Sequence, residues 1–131
     1  MQVLFYEMIG NATPHDVDIA TENGVMTFHK SGCQIRVKSN VETIGQLVDA
    51  LDNITIKLFK ESLGEIEFVG STQAIKNCDA LIVSRVVATA LIKNKALMTE
   101  LGNPHILVPG ELIRDNEGNI KGCKGFILVE E

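Results

Sequence analysis

Residues 39–53 read SNVETIGQLVDALDN, and the assignment of this stretch decides the fold. Val41, Ile44, Leu47, Val48 and Leu51 recur at three and four residues, a spacing that puts side chains on one face of a helix. Ser39 and Glu42 have the separation of a capping box, in which each side chain satisfies a free backbone N–H at a helix start. Gly45 opposes a helix through its backbone entropy. The pattern predicts a helix over 40–51 whose apolar stripe faces a core or a partner.

Strands are expected on both sides of it. MQVLFYEMI (1–9) is rich in β-formers and ends at Gly10. VDIAT (17–21) and VMTFH (25–29) flank Asn23-Gly24, the signal of a tight hairpin. CQIRVK (33–38) alternates, with Ile35 and Val37 on one face and Arg36 and Lys38 on the other. ITIKLFKE and EIEFV straddle Ser62-Leu63-Gly64 as a second hairpin. GSTQAIKNCD (70–79) is a polar connection with room for one helical turn, and ALIV (80–83) is a short buried strand.

Ser84 can cap a helix over RVVATALIKNKALMTEL (85–101), stopped by Gly102. The remainder returns to β: a Pro109-Gly110 turn, ELIR, then NIKGCKGFILV beyond Asp115-Asn116-Glu117-Gly118. The sum is about seven short strands and two helices, clustered rather than alternating, which predicts an α+β fold with a mostly antiparallel sheet. At 131 residues the chain is expected to be a single domain, 1–131.

Composition narrows the function. A net charge of −5 argues against duplex nucleic acid, where affinity comes from neutralising phosphates. Five Phe, one Tyr and no Trp make a base-stacking platform improbable. Cys33, Cys78 and Cys123 are odd in number and widely spaced, as expected of reduced thiols. The opening residues lack a basic segment and carry Glu7, and no apolar run reaches the length of a membrane span. A cytoplasmic protein, without a membrane segment, metal or other cofactor, is therefore expected. His15, His29 and His105 lack close metal-ligand spacing, and no phosphate loop, dinucleotide fingerprint, nucleophile elbow or zinc helix is present.

Four polar clusters are candidates for a site. NATPHD (11–16) sets Asn11, Thr13, His15 and Asp16 around Pro14; these residues suit a ligand's polar edges and equally suit a turn. Ser84 with Arg85 opens a helix, where free N–H groups favour an anion, although every capped helix has the same parts. Arg114 with Asp115 precedes a hairpin turn, and a planar guanidinium suits phosphate or carboxylate. Ser31-Gly32 forms a corner that a ligand could approach, with Cys33 behind it as a small core residue.

Together these pieces resemble a group of small phage and bacterial proteins. The resemblance rests on Asn11-Ala12-Thr13-Pro14-His15, Ser31-Gly32, Val83-Ser84-Arg85-Val86-Val87-Ala88, and Arg114-Asp115 through Gly118 to Gly122-Cys123. It spans most of the chain, except that residues 41–62 depart from it. What it implies is a shared fold and a shared pocket, without an assigned activity. Phage proteins of this size include some that blunt host defence by sequestering nucleotide signals, an analogy of size and setting.

The leading expectation is a homo-oligomeric, non-catalytic binder of a small, nucleotide-derived anion. Arg114, Arg85 and the Ser84 helix start would meet phosphate, while Asn11, Thr13 and His15 would read polar edges. The alternatives are a protein adaptor acting through a sheet edge or the 40–51 helix, and an enzyme using His15 as acid or base.

Overall fold

The computed structural model describes residues 1–130. Its elements in chain order are β1 (Ile9–Asn11), β2 (Val17–Thr21), β3 (Gly24–Phe28), β4 (Gln34–Asp49), β5 (Ile54–Val69), a 3-10 turn (Thr72–Ala74), β6 (Ala80–Ile82), α1 (Arg85–Lys93), α2 (Lys95–Glu100), β7 (His105–Pro109), β8 (Leu112–Arg114), β9 (Ile120–Cys123) and β10 (Phe126–Val129).

The chain is organised around β6, whose three residues are all buried. Successive side chains on a strand point to opposite faces, so a strand covered on both sides is apolar throughout. Here Leu81 joins Val87, Leu91 and Ile106 on the helix side, while Ala80 and Ile82 join Val17, Ile19 and Cys123 on the other. The central sheet runs β1-β6-β7-β10, with β1, β6 and β7 parallel and β10 antiparallel to β7. A second sheet, β3-β2-β9-β8, covers one of its faces. The helices cover the other, together with the base of the β4–β5 ribbon through Ile35, Val37, Ile66 and Phe68.

This architecture corrects the expected α+β fold of seven strands in a mostly antiparallel sheet. The described residues hold ten strands in three sheets, about 50% strand against 14% helix, so the chain is predominantly β. The central sheet, moreover, is mostly parallel.

The largest correction is the 40–51 segment, which is strand to Asp49 and turn beyond it rather than helix. β4 pairs antiparallel with β5 along 16-residue strands, Gln34 opposite Val69 and Asp49 opposite Ile54. Val41, Thr43, Ile44 and Val48 are β-branched, and Thr43 and Val48 face the β-formers Phe59 and Thr55, which favours the ladder over a helix. The pairing slips by one residue between Thr43 and Gly45. A bulge of this kind moves all later side chains to the opposite face. Val41 and Val48 then share one face of the ribbon and Leu47 takes the other, so apolar side chains occupy both faces and do not follow a period of two. Their combined spacing imitates a helical stripe.

Other differences are smaller. The expected hairpin around residues 62–64 is absent, because 54–69 forms one strand with a slip near Gly64. Only Ile9 of the expected 1–9 strand belongs to β1, the one part with a sheet partner. The 85–101 helix breaks at Asn94, whose Oδ1 accepts the Leu97 N–H and caps α2. NIKGCKGFILV divides between β9 and β10 in different sheets. The expected hairpin forms with its turn one residue earlier: Glu22 and Asn23 are the loop residues and Gly24, at φ +116°, pairs with Thr21.

Candidate functional site

The first polar cluster is held by one buried amide. Asn11 ends β1 and is 2% exposed. Its Nδ2 donates to the carbonyls of His15 and Phe28 at 2.8 and 2.9 Å, and its Oδ1 accepts the Thr13 N–H at 3.0 Å. The Thr13 hydroxyl lies 2.7 Å from Asn11 Oδ1 and 2.8 Å from the His15 carbonyl, and donates to one at a time. Asn11 is thus a bracket within the fold, with both amide hydrogens used. The His15 ring is exposed, and the cluster uses that residue's backbone rather than its imidazole.

Asp16 accepts the Lys30 N–H at 2.8 Å and faces His29 Nδ1 at 3.3 Å. The Lys30 amide, followed by the His29 contact, holds its carboxyl below the usual range. Ser31 Oγ turns back on Cys33, accepting its N–H and lying 3.1 Å from its carbonyl. Its own N–H donates to the Asn11 carbonyl, which ties the two clusters together. Cys33, Cys78 and Cys123 are free and buried, and burial raises each thiol's pKa.

Ser84 caps α1 as expected, its Oγ accepting the Val87 N–H at 3.3 Å. It lines an open hollow of about 280 Å³ with Thr13, Pro14, Gln34, Arg36 and Val86. This hollow sits where parallel β1 and β6 end, the place at which open α/β sheets take ligands. Arg85 and His15 are not among its lining residues. Arg36, read from the sequence only as the outer face of a strand, supplies the cation and pairs with Glu67 across the β4–β5 ladder.

Arg114 and Asp115 line a different hollow, with Ile113, Glu117 and Lys121. Arg114 donates to the Gly118 carbonyl at 2.9 Å, and Asp115 accepts the N–H groups of Glu117 and Asn119. Both residues there hold a hairpin turn. The structure therefore joins Thr13 to Ser84 but does not place Arg114 with them in the hollow.

No family model, curated protein or solved structure matches the chain.

A third feature escaped the sequence. Tyr6 and His105, 99 residues apart, meet with the phenol 2.7 Å from Nδ1 and the rings edge to face at 5.5 Å. Burial, then Glu130 and Asp79, raise the Tyr6 pKa. His105 borders a hollow of about 420 Å³ whose apolar lining includes Ile92, Met98, Ile106 and Leu128. No local motif announces a pair so distant in sequence. Among the described residues no group of three His, Cys, Asp or Glu could hold a metal, and no helix is long and apolar enough to cross a membrane.

Proposed function

We propose that the chain binds a small anion, the phosphate end of a nucleotide-derived ligand, in the hollow between Thr13, Ser84 and Arg36. The observation that carries this reading is their convergence at the carboxyl ends of β1 and β6, beside the first turn of α1. A helix start carries a partial positive charge, and a guanidinium offers planar donors to phosphate. About 280 Å³ is small for a ligand pocket, so it takes an anionic head group while the rest of the ligand extends outside.

Binding rather than turnover is favoured by the lining. The Thr13 and Ser84 hydroxyls already serve Asn11 and the Val87 N–H, and no histidine or carboxylate lines the hollow to act as base. Retention of a nucleotide signal, the role suggested by the resemblance to phage proteins, is part of the same proposal.

Calorimetric titration with inorganic phosphate and with linear and cyclic nucleotides tests it. Heat of binding is expected, and Arg36→Ala weakens binding by about tenfold or more, the loss of one charge-assisted contact. Absence of heat at millimolar ligand, or unchanged affinity in Arg36→Ala, overturns it.

One observation favours the adaptor reading: Val41, Ile44, Leu47, Val48 and Leu51 are all exposed, on the β4–β5 hairpin rather than on a helix. A stoichiometric complex with another protein, unchanged by Arg36→Ala, would support it.

A further inference from the structure

The β4–β5 ribbon leaves the core after Val37 and Ile66. Between residues 38 and 63 every large apolar side chain is exposed, among them Val41, Leu47, Ile56 and Phe59. Two strands alone are marginal in water, and a third or fourth is what gives such a hairpin independent stability. Among the described residues β4 and β5 pair only with each other, so each has a free edge along the ribbon. Those edges are not equivalent. β4 carries the bulge at Thr43–Gly45, and a bulge twists an edge away from further pairing. β5 has no extra residue between Ile54 and Leu63, so its edge is uninterrupted.

The sequence of that edge is complementary to itself. Two copies of one strand paired antiparallel about a two-fold axis place residue i opposite residue j with a constant sum, and the axis passes through one residue. An axis at Phe59 sets Phe59 against its own copy and Lys57 against Glu61 of the other chain on both sides. An axis at Lys60 sets like charges directly opposite. An axis at Leu58 leaves Lys57 facing Phe59 and Glu61 facing Thr55. Opposite charges across a ladder stabilise and like charges destabilise, so one register is selected.

We propose that two copies of the chain associate through β5, antiparallel and centred on Phe59, to form a four-stranded sheet β4-β5-β5-β4. Phe59, 58% exposed in the single chain, then lies at the centre of the interface. The Lys57–Glu61 pairs on either side fix the register. This interface is separate from the anion hollow, which lies at the other end of β4.

Sedimentation equilibrium over a concentration series tests the proposal, using Lys57→Glu, Glu61→Lys and the double exchange. A wild-type dimer is expected. Each single reversal should weaken it by roughly tenfold, since two attractive pairs become repulsive, and the double exchange should restore it. The register is read independently by cysteines joined with a short bis-maleimide, because the native thiols are buried. Phe59→Cys should link to its own copy. Thr55→Cys should not, because its copy lies eight residues away, roughly 26 Å along the strand. A monomer at every concentration overturns the proposal. So does a dimer indifferent to the reversals, a double exchange that does not recover, or linkage through Thr55→Cys equal to that through Phe59→Cys. Circular dichroism establishes that each variant is folded.

Discussion

Asn11 reaches across four residues to donate its amide to the His15 carbonyl at 2.8 Å, and so shapes the NATPHD junction from inside the protein. The density of polar groups there reflects one buried side chain closing a turn and anchoring β1 to the end of β3. Asn11→Asp keeps the size and the acceptor but removes both donors, so the Phe28 carbonyl loses its amide partner and the His15 carbonyl keeps only the Thr13 hydroxyl. A loss of roughly 2–4 kcal/mol is expected, since buried groups without partners carry their full desolvation cost. Urea unfolding measures it, and a loss below that of an ordinary surface substitution would show the bracket to be dispensable.

Gly70, just after β5, faces the Ser31-Gly32 corner at the base of the ribbon. It adopts φ +98°, and a Cβ there would stand 2.1 Å from the Gly32 carbonyl oxygen. Gly118 has a similar φ of +84° but open space around it. Alanine at Gly118 should therefore cost about 1 kcal/mol through backbone strain alone. At Gly70 the same change adds a backbone collision and should cost well over 2 kcal/mol, with the urea midpoint falling accordingly. Equal losses would mean that the corner yields without penalty.

Local patterns made the hairpin at Asn23-Gly24, the strand at 80–83 and the Ser84 cap legible, because each depends on residues adjacent in sequence. The ribbon was hidden because it carries exposed apolar side chains on both faces, so no period of two marks it as a strand until the pairing with β5 is seen. The division of 119–129 between two sheets was hidden because the partner strand, not the local pattern, decides the sheet. At the candidate site, Thr13 and Ser84 were found by their chemistry. An alternating strand assigns Arg36 to solvent and gives it no role, yet solvent is where the hollow opens. Tyr6 and His105 meet through tertiary structure alone.

Asp79 fastens the segment before β1. Its Oδ2 accepts the N–H groups of Met8 and Glu7 at 2.9 and 2.7 Å, and these bonds, Met8 first, lower its pKa from the usual 3.8. A carboxylate with a lowered folded-state pKa stabilises fully above its unfolded value, and that contribution is lost as pH falls through the folded one. Amide protection of Glu7 and Met8 should therefore hold above pH 3.8 and decline below it. Asp79→Asn should abolish that dependence. Hydrogen exchange followed by NMR reads both amides directly, and protection that persists into strong acid would show that the carboxylate does not hold the segment.

Ser84 allows capping to be separated from anion binding. Its Oγ satisfies the Val87 N–H, so Ser84→Ala should cost roughly 1 kcal/mol, the usual loss on removing a cap. Ser84→Asp retains an acceptor for that N–H and adds a negative charge that suits the positive end of α1, so stability should match the wild type. The same carboxylate would line the hollow beside Thr13 and Arg36 and repel an incoming phosphate. The aspartate variant should thus unfold at the wild-type urea midpoint yet bind inorganic phosphate at least tenfold more weakly, a difference of about 1.4 kcal/mol. Undiminished phosphate binding in that variant would remove the hollow as the site, even with the helix cap intact.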